Sequence, residues 1–228
     1  NGHTSAIGTT EAAWAFHSIL GASKSMRNIR ALSGGVVLGI LLVWGCSPIE
    51  SHSSASVQVS RFRKREESDL KVFRASLDSL MPAYTVLVSK ETSSPKLELG
   101  WLIGKRAAGP DVEPLLPGLI AAYRQRNGAN VSLNLASLER VQLISSTELH
   151  RFFANGGAEG YSRLWKEFPA ASALVSFSLP GYNQDGTLAL IYANIGRGPF
   201  DIQGKVLILK RLSQEKWGVI KIFIIAES

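Results

Sequence analysis

The sequence predicts an α+β protein, with helices packed on a C-terminal four-stranded antiparallel meander. Two observations carry that expectation. Apolar residues recur at helical spacing in Leu70, Phe73, Leu77 and Leu80, and again in Tyr161, Leu164, Trp165 and Phe168. From Ala173 onward the period changes to two, and four apolar segments follow one another through short polar connections.

Each element has its own justification. The first helix is expected over 64–81: Glu67 and Lys71 stand four apart in the favourable order, and Pro82 stops it. Tyr84 to Val88 reads as a strand, Leu97 to Ile103 as a second, and the segment from Gly104 to Pro110 as a loop. Leu115, Leu116, Leu119, Ile120 and Tyr123 form a helical face that ends at Asn127-Gly128. Val131, Leu133 and Leu135 alternate, as do Val141 and Leu143, and both read as short strands.

Ser145 followed by Glu148 has capping-box spacing and opens a helix that turns Leu149, Phe152 and Phe153 inward. The next helix carries the Tyr161 to Phe168 stripe and ends at Pro169; such a stripe is core rather than a ligand site. Val175, Phe177 and Leu179 alternate with serines, and Asn183 with Asp185-Gly186 supplies turn chemistry. Leu188 to Ile195 and Trp217 to Ala226 carry few charges and are expected to be central strands. Gly196 to Asp201 is expected to be a loop. Helices that precede such a sheet should cover one of its faces.

Composition sets the outer bounds. The chain has 228 residues, 45% of them apolar and 19% charged, which excludes a disordered polymer. A single Cys excludes an intramolecular disulfide and a Cys-based zinc site. Lys and Arg exceed Asp and Glu by 25 to 18, so the formal charge is +7.

The N-terminal part has a different logic. Residues 1–25 start at Asn1 and hold no stable element; they read as an upstream extension outside the folded protein. Met26-Arg27-Asn28-Ile29-Arg30 is basic, Val36 to Trp44 is an unbroken apolar run, and Gly45-Cys46 follows. Arginines stay on the cytoplasmic side of a membrane, while the run partitions into lipid but is short of the roughly 20 residues of a comfortable span. Gly45 admits a peptidase, and Cys46 offers the chain's only thiol.

In this order the segment 26–45 resembles a bacterial lipoprotein signal peptide, with Val43-Trp44-Gly45-Cys46 as its lipobox. The resemblance implies a covalent lipid on Cys46 as the only attached group, cleavage between Gly45 and Cys46, and an envelope location on a lipid anchor. Ser47 after the Cys favours the outer membrane where one exists. Residues 46–60, rich in Ser, read as a tether, and residues 61–228 as a single α+β domain. Arg61, Arg63, Lys64 and Arg65 are most simply the solvated start of the first helix, and a nucleic-acid role is not expected.

Phe168-Pro169, Val175-Ser176-Phe177-Ser178 with Gly181-Tyr182-Asn183, Thr187 to Tyr192, Val206 to Lys210 and Lys216-Trp217 resemble a recurring C-terminal module of uncharacterised bacterial proteins. The likeness spans about residues 164–219 and implies no activity. Leu179 stands where the module has Arg, and the Gly196 to Phe200 segment lacks the module's Cys, so no metal or redox role follows.

The search for chemistry is short. Gly104-Lys105-Arg106 lacks the hydroxyl and spacing of a phosphate loop, no G-x-G-x-x-G opens a helix, and no G-x-S-x-G elbow occurs. His3, His17, His52 and His150 are too dispersed for zinc, and no metal is expected. Asp78, Asp111, Asp185 and Asp201 have no spacing that predicts acid–base pairing. Arg197 is the candidate binding residue, since loops held on a sheet commonly carry function. The expectation is therefore an anchored, non-catalytic module that binds an envelope protein or polymer. The alternative is an envelope hydrolase using His150, with Glu148 or Asp185 behind it.

Overall fold

The structure is a computed structural model. It describes residues 52–93, 95, 110 and 112–227, with side chains from Arg65 to Ile225. The chain divides into two compact units, Asn1–Lys64 and Arg65–Ser228. In chain order the elements are α1 (His52–Leu80), β1 (Thr85–Ser89), a 3-10 turn (Glu113–Leu115), α2 (Leu116–Arg126) and β2 (Val141–Ile144). Then follow α3 (Ser146–Phe153), α4 (Gly157–Glu167), β3 (Ala171–Phe177), β4 (Gly181–Tyr182), β5 (Leu188–Gly198), β6 (Asp201–Arg211) and β7 (Trp217–Glu227).

The α+β class holds, but the sheet is larger than the four-stranded antiparallel meander expected. It is a mixed, seven-stranded sheet in the order β2-β1-β3-β5-β6-β7, with β4 paired to β5 beside β3. β1 runs parallel to both β2 and β3, while β3, β5, β6 and β7 are joined antiparallel. Period two in the C-terminal third reveals hairpins. It cannot reveal that β1, far upstream, completes the same sheet by a parallel crossover.

Helices cover both faces rather than one. Along β5 the odd residues Ala189, Ile191, Ala193 and Ile195 join Val72, Phe73, Leu77 and Met81 of the α1 side. The even residues Leu188, Leu190 and Tyr192 join Leu116, Leu119, Ile120 and Tyr123 of α2. This two-sided burial explains why β5 reads as a continuous apolar run. α4 also lies on the α2 face, where a Cβ on Gly196 would strike the Tyr161 hydroxyl.

Several expectations shift. α1 begins at His52, twelve residues before the expected start. Leu115 belongs to the 3-10 turn and is exposed. The segment around Val131 forms no strand: one isolated bridge joins Glu91 to Ser132, and Leu133 and Leu135 are buried as irregular backbone against α1. The region 97–103 lies outside the described residues, as do residues 1–51. β7, expected in the centre, is an edge strand bonded only to β6. Its low charge count reflects exposed isoleucines rather than burial on both faces: Ile220, Ile222 and Ile224 are 43%, 39% and 48% exposed.

The capping box forms as its spacing predicts. The Ser145 Oγ accepts from the Glu148 backbone N–H at 3.2 Å, and the Ser145 N–H donates to Glu148 Oε2 at 2.9 Å. The Ser145 hydroxyl also donates to Glu148 Oε2 at 2.6 Å, and this bond, followed by that from the Ser145 N–H, holds the Glu148 carboxyl below the usual carboxylate range. Phe153 and Tyr161 stack edge to face across the α3–α4 joint, with ring centres 5.1 Å apart. Where α2 crosses β4, only a glycine fits: a Cβ on Gly181 would overlap the Tyr123 backbone.

Candidate functional site

The end of α1 and the start of β2 enclose an open groove of about 160 Å³. Its floor is apolar and buried: Leu77, Met81, Val86 and Leu138. Its rim is exposed and polar: Arg74, Asp78, Tyr84, Glu139 and Arg140.

Arg140 shapes this groove. Its φ of 62° makes it the left-handed non-glycine residue among the described residues. An L-residue there costs about 1–2 kcal/mol, so other interactions must hold it. Arg140 Nη1 donates to the Pro82 carbonyl at 2.6 Å, and Nη2 to Asp78 Oδ1 at 2.9 Å. The Arg140 carbonyl accepts from the Val86 N–H at 2.9 Å. One residue thus ties the end of α1, the start of strand β1 and the approach to β2. Asp78, considered above for acid–base work, is occupied by this ion pair. Among the described residues that line the groove there is no Ser, Thr, Cys or His.

Arg197 lies close to the groove but not in it. It belongs to β5, not to a loop: the strand continues through Gly198, and Pro199-Phe200 alone make the turn into β6. Its Nη2 lies 3.7 Å from Met81 Sδ, its Nη1 3.5 Å from Asp201 Oδ1, and its carbonyl accepts from Trp165 Nε1 at 3.1 Å. Arg197 therefore ties β5 to α1, α4 and the start of β6. Asp201 is its ion-pair partner.

His150 is exposed on α3, and no hydrogen bond joins it to Glu148 or Asp185 among the described residues. Glu148 is engaged by Ser145. Asp185 accepts from the Thr187 hydroxyl at 2.6 Å and the Thr187 N–H at 2.9 Å, which depress its pKa and close the β4–β5 turn. Arg65 is exposed at the start of the second unit. Cys46, Gly45 and Asp111 lie outside the described residues. Among the described residues no three metal-ligating side chains converge, and no helix is long and apolar enough to cross a membrane.

The strongest polar cluster was missed from the sequence. Asp69 of α1 meets Arg126 of α2 in a two-pronged pair, Nη1 to Oδ1 at 3.0 Å and Nη2 to Oδ2 at 2.7 Å. Arg126 Nη1 also donates to the Pro180 carbonyl, and the Tyr182 hydroxyl donates to Asp69 Oδ1 at 2.8 Å. The Asp69 and Arg126 side chains are 12% and 13% exposed. Burial pushes the Tyr182 hydroxyl well above its ordinary pKa, and the Asp69 charge pushes the same way. The signal was available: Asp69 falls on the inward stripe of α1, four residues before Phe73. Every group is satisfied by another, so the cluster joins elements and exposes no reactive atom. No family model, curated protein or solved structure matches this chain.

Proposed function

We propose that the chain is a lipid-anchored bacterial envelope protein whose α+β unit binds another macromolecule without catalysing a reaction. The observation that carries this reading is Met26 to Cys46: arginines, an unbroken apolar run, then Gly45-Cys46 with the chain's only thiol. The groove at the end of α1 supports the binding half. It is shallow, with an apolar floor and a rim of both charge signs, which suits a peptide or polymer segment better than a sequestered small substrate. The outer membrane is the favoured location where the organism has one. The alternative, a hydrolase built on His150, draws no support from an exposed His150 whose expected carboxylate partners are engaged elsewhere.

The test is metabolic labelling of the expressed chain with a clickable fatty acid, beside Cys46→Ala, followed by intact mass. Label confined to the wild type, with a mass that starts at Cys46, is expected. An unlabelled chain that retains residues 26–45 would overturn the anchor.

A further inference from the structure

The β6–β7 hairpin combines two features. Ile220, Ile222 and Ile224 stand exposed along the edge strand, with Leu212 at 58% exposure in the turn. Lys205 and Arg211 lie on the sheet face that Ile222 and Ile224 share, and Lys216 is exposed in the turn beside Leu212. Two acids of the same hairpin are drawn elsewhere, Asp201 to Arg197 and Glu215 to Lys71 at 2.7 Å. Among the described residues none of these three cations is ion-paired. Register places the two kinds of side chain together on one face: Lys205 is opposite Ile224, and Ile222 opposite Leu207, two residues on from Lys205.

We propose that this edge is a docking surface for an anionic lipid bilayer, against which the domain lies. The inference rests on the lipid-anchor reading for its setting. Isoleucines enter the headgroup boundary, while lysines beside them meet phosphate charge and bring long apolar stems with them. A second copy of the chain fits less well. Bulges at Ile220 and Ile225 break β7 into short runs in regular register, 217–219, 221–224 and 226–227, which interrupts any edge-to-edge ladder with a second copy. The groove borders β1 and β2, at the opposite end of the sheet order from β7. With β7 on the bilayer, the groove stays available to a partner.

The experiment uses the full chain with Cys46→Ser, so that an introduced cysteine is the only labelling site. An environment-sensitive fluorophore is placed at Ile222→Cys and, as control, at the exposed Gln142→Cys on β2. Vesicles carry either phosphatidylcholine alone or one-third phosphatidylglycerol with brominated chains. A blue shift and bromine quenching at 222, confined to the anionic vesicles and absent at 142, are expected. Lys205→Gln with Arg211→Gln and Lys216→Gln should weaken that signal by about a hundredfold in lipid concentration. Four results overturn the surface: no signal at 222, equal signal at 142, a shift at 222 that rises with protein concentration without vesicles, or the same shift with a DNA oligonucleotide in their place. Lipidation at Cys46 plays no part in this measurement, so an anchor without the surface, or the surface without an anchor, is read separately.

Discussion

Asp69 and Arg126 are 57 residues apart in the chain and close a two-pronged ion pair with little water around it. Removing one partner leaves the other charged, largely desolvated and unmatched. Such a loss costs about 3–5 kcal/mol, far more than an exposed pair contributes. Asp69→Ala and Arg126→Ala are each expected to lower stability by about 3 kcal/mol or more in urea unfolding, and the double variant by clearly less than their sum. Additive losses would sink the coupling. Arg140, by contrast, pairs with Asp78 at the surface and contributes mainly by holding its own left-handed backbone. These residues explain what was legible at this scale. Ser145 with Glu148 announced itself because a capping box is local in sequence. The partner of Asp69 was not legible, because only the packing of α1 against α2 and β4 brings it there. Arg197 was legible as a residue of interest and misplaced as a loop residue, because Gly196 and Gly198 read as turn formers where β5 in fact continues.

At the level of elements, local signals fixed identity and missed neighbours. α2, α3, α4 and the strands β1, β2, β3, β5, β6 and β7 all lie where apolar periodicity put them. Their partners were another matter: an apolar strand reads alike whether it is central like β5 or at an edge like β7. The irregular segment at Leu133 and Leu135 shows the same limit, since buried side chains there alternate without a ladder. One element offers a clean test of local chemistry. Ser145→Ala removes the acceptor for the Glu148 N–H and is expected to cost about 1 kcal/mol, and Ser145→Asp to restore most of it. Thermal melts of the two variants check this, and equal losses for both would refute the cap's role. Arg163 Nη2 ties α4 to the end of α3 by donating to the Arg151 and Phe152 carbonyls.

For the molecule as a whole, four of the five tyrosines are drawn into packing: Tyr123, Tyr161, Tyr182 and Tyr192. Burial raises all four hydroxyls, Tyr161 and Tyr192 to about 12. The folded pKa exceeds the unfolded value of 10.0, so the folded state keeps protons that the unfolded state releases. The stabilisation is complete below pH 10 and is lost as pH rises through about 12. Melting temperature is therefore expected to fall from pH 10 upward. Tyrosinate absorbance should rise for the buried four only as the fold opens. Ionisation of all five near pH 10, with native circular dichroism retained, would contradict it.

The connectivity of the sheet also sets when the fold can form during synthesis. Lys71 meets Gln214 across 143 residues, and Phe73 and Leu77 share one core with Leu207, Leu209 and Trp217. The apolar face of α1 is thus made early; β1, β3 and β5 can reach it first, but its cover is complete only when the last two strands leave the ribosome. Until then part of that face stays open to solvent on the nascent chain, and the core closes only at the end of synthesis.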